Sequence, residues 1–331
     1  MVLNSPILAE NLTPILGWSF SNLQWDKLPY FVLDGLCNGT ICALIALGYT
    51  LVYGIIKLIN FAHGEFLMVG GYAGFFFYTI PFMQTLPPWL AIPILLVISG
   101  AAGVAIAVTT ERVAYRPIRG GDRLIALLTA IGVSFFLQNV FKFVRGGNNL
   151  AFPDDSPVGK VFAHSITHLG QFELGIKTVK FGFIVLTLIL MVWLWWLVSR
   201  TRFGKAMRAT SQDLEAARLM GINVDRVIMM TFALGGFFAG ITGMLMGAIY
   251  QVNPMMGFMP GLVAFVAAVV GGIGSIPGAV VGGLLVGLLP SLAIWAGVDS
   301  AYKDIACFSL LIVVLVFRPQ GILGRITREK V

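Results

Sequence analysis

Residues 200–226 read RTRFGKAMRATSQDLEAARLMGINVDR, a polar stretch between two long apolar runs, and its charge decides how the chain is threaded. Arg200, Arg202, Lys205, Arg208, Arg218 and Arg226 are set against only Asp213, Glu215 and Asp225. Cytoplasmic loops of membrane proteins carry such a basic excess, so this stretch is expected inside. Thr210 followed by Asp213 fits the capping pattern of a helix start, and Gly221 supplies the stop because glycine takes the left-handed conformation cheaply. A helix of about two to three turns over 210–221 follows. Leu214, Ala217 and Met220 give it a modest apolar stripe, short for a core helix. On composition alone it is a solvated loop helix between spans.

The surrounding chain is 331 residues long, 58% hydrophobic and 11% charged. A charged share below half the usual quarter means that most of the surface faces lipid, so the fold class is an all-α polytopic membrane protein. The net charge of +7 would suit nucleic acid. The basic residues cluster instead in three intervals flanking apolar runs, where they act as topology signals, and no nucleic-acid partner is expected. Cys37, Cys42 and Cys307 lie in or beside spans without a CxxC pair and read as small hydrophobes. The first 26 residues hold no Lys or Arg, so the basic start of a secretory signal is lacking.

Working outward, residues 1–30 form an external or interfacial segment, and 31–317 a single transmembrane domain. The first apolar run, 31–56, would be about 39 Å long as one helix, more than a core of roughly 30 Å. The polar KLINFAHGEF (57–66) interrupts it before a second run ending near Met83, and 89–110 form a third span. Arg112, Arg116, Arg119 and Arg123 place the next interval inside. Spans over 124–144 and 179–199 enclose an external loop, 145–178; the second of them ends in Trp193, Trp195 and Trp196, an interfacial cluster just before Arg200. Further spans follow at 227–250, 258–274, 277–297 and 305–317, and 318–331 form a cytoplasmic tail. The total is about nine transmembrane helices, eight to ten with broken segments, with the N-terminus outside and the C-terminus inside. Gly274/Gly278, Gly278/Gly282 and Gly283/Gly287 are GxxxG pairs suited to close packing in lipid. Gly-interrupted regions at 54–74 and 257–283 fall in opposite halves, the pattern of an internal repeat around a central site.

EAARLMG (215–221) looks like the EAA-type coupling segment of ABC importer permeases. INFAHGE (59–65), with GYTLVYG before it and GGY after it, AFVAAVVGGIGSIPGAVVGG and the closing FRPQGILG are similar to LivH-like permeases of branched-chain amino-acid ABC importers. The resemblance covers most of residues 31–325. It implies a permease of the bacterial plasma (inner) membrane, embedded in the lipid bilayer and paired with a second LivH/LivM-like permease, two ABC ATPase subunits and a soluble substrate-binding protein. ATP and Mg belong to the partner subunits, since no GxxxxGK[ST] loop occurs here and the chain is no enzyme. Asp213, Glu215, Ala216, Ala217 and Gly221 would form the ATPase-coupling element. Asn60, Phe61, His63, Glu65, Gly271, Gly272 and Gly274 would lie on the substrate pathway.

Read from the residues alone, Asn60, His63 and Glu65 are equally a hydrogen-bonded helix connection, and the glycines equally a packing seam. Backbone groups exposed at a broken helix would instead suit a zwitterion. Urea and short-chain amide permeases are the alternative within the same resemblance. A stand-alone secondary transporter would need a coupling carboxylate within the spans, and a scaffold would need no transport at all. His164 and His168 have a spacing that binds metal on a helix, but no third ligand is near and no metal is expected.

Overall fold

The computed structural model describes residues 25–58, 60–119, 121–153, 157–169 and 172–324. Most of the N-terminal interfacial segment and the tail beyond 324 lie outside them. The helices are α1 (Leu28–Ile56), α2 (His63–Tyr78), α3 (Pro81–Thr85), α4 (Pro88–Thr110), α5 (Arg123–Arg145), α6 (Pro157–Ala163), α7 (Thr178–Arg200), α8 (Arg202–Gln212), α9 (Leu214–Leu219), α10 (Val224–Ile249), α11 (Phe258–Gly271), α12 (Ile276–Trp295) and α13 (Lys303–Phe317). Strands β1 (Ser165–Leu169) and β2 (Phe172–Lys177) pair antiparallel between α6 and α7. The external loop of the sequence reading therefore contains a short helix and a hairpin. His164 precedes β1 and His168 lies in it. Four residues of strand span about 13 Å, so the helical spacing a metal pair would need is not formed.

Among the described residues seven helices are long and apolar enough to cross a membrane: α1, α4, α5, α7, α10, α12 and α13, three of them lengthened by adjoining turns. Of the about nine expected, α2 and α11 are too short to be complete spans: their 16 and 14 residues give about 24 and 21 Å against a core of roughly 30 Å. Each is preceded by non-helical chain that shortens it. Lys57 takes a left-handed φ of 53° and ends α1, and the asparagine of the following NFA turn bonds its own backbone instead of continuing a helix. On the other side, α10 stops at Tyr250, and turns through Asn253 and Gly257 lead to Phe258.

α1 and α10 are the buried centre. α1 packs along α12, where a side chain on Gly287 would fall 2.1 Å from the Gly39 backbone. α10 packs along α4 in the same manner, with 2.3 Å from a Cβ on Gly236 to the Gly103 carbonyl oxygen. Further, α2 lies on α10 and α4, and α11 lies on α1 and α12. With no hydrophobic drive between helices in lipid, such backbone approaches supply the packing attraction. Of the three GxxxG pairs, Gly278/Gly282 meets α11 and Gly283/Gly287 meets α1. Gly274 does not pack: it has φ +93° and open space around it, and serves the turn between α11 and α12.

Candidate functional site

The starts of the two short helices meet. A side chain on Gly64 would lie 2.3 Å from the Gly257 carbonyl oxygen, and one on Gly257 would lie 2.1 Å from that of Gly64. Only glycine allows this approach. Around the junction Asn60, His63 and Glu65 are buried, at 2%, 1% and 1% exposure. The Asn60 Oδ1 atom accepts from the Ala62 amide (3.0 Å) and from the Tyr115 hydroxyl (2.8 Å), which ties the turn to the π-helical end of α4. His63 donates to the Ile45 carbonyl, and its Nε2 faces Gly48, where a Cβ would come within 2.2 Å. The ring stacks edge-on with Tyr49 and Phe66 at 4.9 and 5.6 Å. Glu65 Oε1 accepts from Ser134 Oγ and Gln138 Nε2, both at 2.8 Å, which draws in α5. Phe61 stacks on Phe265 of α11 at 5.5 Å.

Three polar atoms in this cluster have no partner among the described residues: Asn60 Nδ2, His63 Nε2 and Glu65 Oε2. A buried donor or acceptor left unpaired costs about 1–3 kcal/mol, so one donor and two acceptors on neighbouring residues mark a place able to exchange hydrogen bonds with something else. His63 also lies mid-way along its neighbours. Gly48 is eight residues short of the end of α1 and Gly235 eleven residues into α10, and the ring touches both.

The structure does not bring Gly271, Gly272 and Gly274 to this junction. They stand at the opposite end of α11, about 20 Å away along its axis. Gly272 is covered there by Gly321 and Gly324, and the Ile322 and Leu323 amides bond the Val270 and Gly271 carbonyls. The sequence reading passed over Ser134, Gln138, Tyr115 and Tyr49. The signal for the first two was two polar residues one turn apart inside an apolar span.

In the stretch 200–226 the cap moves one turn from its expected place. Thr210 belongs to α8, with its hydroxyl donating back to the Ala206 carbonyl; Asp213 alone caps α9, accepting from the Glu215 and Ala216 amides at 2.8 and 3.0 Å. α9 is thus six residues, shorter than the two to three turns expected. Gly221, at φ +80°, closes it, with Ile222 N–H reaching the Ala217 carbonyl, the Schellman arrangement. Only Ala217 of the expected stripe is buried. Leu219 and Met220 stand 89% and 82% exposed beside Glu215 and Ala216.

Residues 31–315 match the family described as branched-chain amino acid transport system, permease component. The chain is 44% identical to the high-affinity branched-chain amino acid transport system permease protein LivH of Escherichia coli over 315 residues, 92% of this chain and 99% of that one. It is also 44% identical to BraD of Pseudomonas aeruginosa, a protein of the same description, over 91% of this chain and 97% of that one. The fructose import permease FrcC of Rhizobium meliloti is 32% identical over 168 residues, 48% of this chain and 46% of that one.

Proposed function

The chain belongs to the family of branched-chain amino acid transport permease components, and from that footing we propose how it works as the membrane subunit of a high-affinity ABC importer for branched-chain amino acids in the bacterial inner membrane. The observation that carries the reading is similarity along nearly the whole of both chains, because a shared fragment such as the one with the sugar permease would speak only for a shared scaffold. Its partners are two ATPase subunits that hold ATP and Mg, a second permease and a soluble binding protein. Residues 31–317 act as one permease domain.

The basic intervals lie inside, the hairpin-bearing loop outside, the N-terminus outside and the C-terminus inside. The chain then crosses nine times, seven times by a complete helix and twice by a half-helix, α2 and α11, each entered through a turn, at Asn60 and at Asn253. α1, α2 and α4 form one repeat and α10, α11 and α12 the other. Reciprocal packing supports this, since α1 lies on α12 as α10 lies on α4, and each short helix lies on the other repeat's long one. The two half-helices then begin near mid-membrane with their positive dipole ends converging. A substrate carboxylate is received beside those ends, where the Asn60 amide donates, and its ammonium by the two free acceptors, His63 Nε2 and Glu65 Oε2. Phe61 lines the path. Gly271, Gly272 and Gly274 serve it as the turn at the inner end of α11.

Motion enters at α9. Leu219, Met220, Glu215 and Ala216 dock on an ATPase, and Asp213 and Gly221 keep the short helix rigid enough to push. Val224 begins α10 three residues after Gly221, and α10 carries Gly235 against His63 and Gly240 against Gly70, so displacement of its inner end is felt at the site. Alternating access follows if ATP favours one of two positions of α10. The test is copurification from native membranes with Leu219→Asp and Glu215→Ala. Associated ATPase should fall at least tenfold in the first variant and leucine-stimulated hydrolysis should fall in both. Full association and stimulation in both would remove α9 from the mechanism.

A further inference from the structure

On the surface along the α4–α10 seam a charged depression adjoins an apolar groove. The groove, about 260 Å³, is lined by Val104, Trp193, Met230, Ala233, Leu234 and Phe237. The depression, about 220 Å³, presents Arg112, Arg116 and Arg226 together with Glu111 and Asp225. Both lie on one strip of surface. Arg226, Met230, Ala233, Leu234 and Phe237 recur at the three-to-four spacing of a single helix face, and Val104 and Glu111 are two turns apart on α4. Gly103 against Gly236 and Arg112 Nη2 at 3.3 Å from Met229 Sδ tie the same two helices at both levels.

The charges do not cancel. Glu111 is taken by Arg119, and Asp225 by Arg119 at 2.6 Å and Arg116 at 3.2 Å. Among the described residues Arg112 and Arg226 have no carboxylate within ion-pair distance, so four arginines against two carboxylates leave two positive charges at the mouth of the depression. The thioether of Met229 is too weak an acceptor to neutralise one of them. Guanidinium groups hold phosphate oxygens in pairs. From Arg226 to Phe237 is about 16 Å along the helix, half a hydrocarbon core of roughly 30 Å, which is the depth of one leaflet.

We propose that this seam binds an anionic phospholipid of the inner leaflet, its phosphate held by Arg112 and Arg226 and one acyl chain lying along Ala233, Leu234 and Phe237. The choice of leaflet rests on the orientation proposed above. A free phosphate would not need the groove, and an acidic peptide would not need sixteen ångströms of apolar wall at membrane depth. Basic pockets between membrane helices on the cytoplasmic side suit acidic headgroups.

The test is native mass spectrometry of the assembled importer in mild detergent, titrated with phosphatidylglycerol or with phosphatidylcholine of equal chain length. Two arginines near a headgroup should favour phosphatidylglycerol about thirtyfold. The double variant Arg112→Ala/Arg226→Ala should erase that preference, and Ala233→Trp, which fills the groove, should weaken both lipids about tenfold. Equal binding of the two lipids by the unaltered complex would overturn the site, as would complete displacement of phosphatidylglycerol by millimolar inorganic phosphate. Release of the ATPases by the double variant would overturn it in favour of a protein interface. Arg112→Cys labelled by a membrane-impermeant thiol reagent only in inside-out vesicles supports the inner leaflet. Labelling from the outside would overturn the orientation while leaving the lipid preference to be judged on its own titration.

Discussion

At the start of α2, Asn60, His63 and Glu65 are buried and held by hydrogen bonds from α4's end and α5; at the start of α11, Met255, Phe258 and Met259 are 55%, 41% and 43% exposed and carry no charge. The two helix beginnings share a backbone contact, Gly64 on Gly257, and little else. One is fixed, because shifting it breaks bonds whose buried partners would each cost about 1–3 kcal/mol to strand. The other is joined to the body by a backbone bridge between Val252 and Leu150 and by van der Waals contact, with no buried charged side chain to anchor it. In the importer proposed here, the fixed start reads the charged ends that all amino acids share, and the apolar start meets the aliphatic side chain that distinguishes the branched ones.

The contrast breaks most completely if the shared contact itself is disturbed. Gly257→Val puts a branched Cβ about 2 Å from a backbone oxygen that has nowhere to go, and folded protein should drop below about a tenth by fluorescence-detected size exclusion. A normal yield would mean that the two starts are not locked together. Next in size, Glu65→Leu strands Ser134 Oγ and Gln138 Nε2, so leucine uptake into vesicles should fall about a hundredfold with stability down by about 2 kcal/mol or more. Glu65→Gln retains an acceptor and should recover the stability but not the uptake. If it recovers both, the carboxylate is a structural fixture and the charged end is read elsewhere. The smallest effect belongs to the apolar start. Met259→Ser removes about two buried methylene equivalents at most and should raise the KM for leucine about threefold to tenfold while leaving kcat unchanged. A fall in kcat with KM unchanged would assign Met259 to the moving parts and not to the side-chain wall.

Much of this was legible where chemistry is local. The arginine intervals set the ends of the long helices, KLINFAHGEF marked the break before α2, and Gly221 marked the stop of α9 with the residue type that a left-handed cap requires. The cap of α9 was misplaced by one turn because Thr210 and Asp213 are both capping residues, and only packing of Met207 and Thr210 against the body shows that α8 continues past the first. Gly271 and Gly274 were grouped with His63 because both stretches are glycine-rich. Glycine density tells that backbones approach, but the partner of each glycine is a tertiary fact: Gly271 meets Gly278, and Gly64 meets Gly257. Likewise Glu65 finds Ser134 and Gln138 about seventy residues away, a pairing that no spacing along the chain announces.

The C-terminal end of α11 has a consequence for biosynthesis. Its last carbonyls, on Val270 and Gly271, are met by amides of Ile322 and Leu323, about fifty residues further along and on the far side of two membrane helices. At about 5–20 residues per second, the ribosome reaches those amides roughly 3–10 s after it has finished α11. Through that interval the last carbonyls of nascent α11 stay open, and the arrival of FRPQGILG closes them: the end of one helix is completed by residues made two helices later.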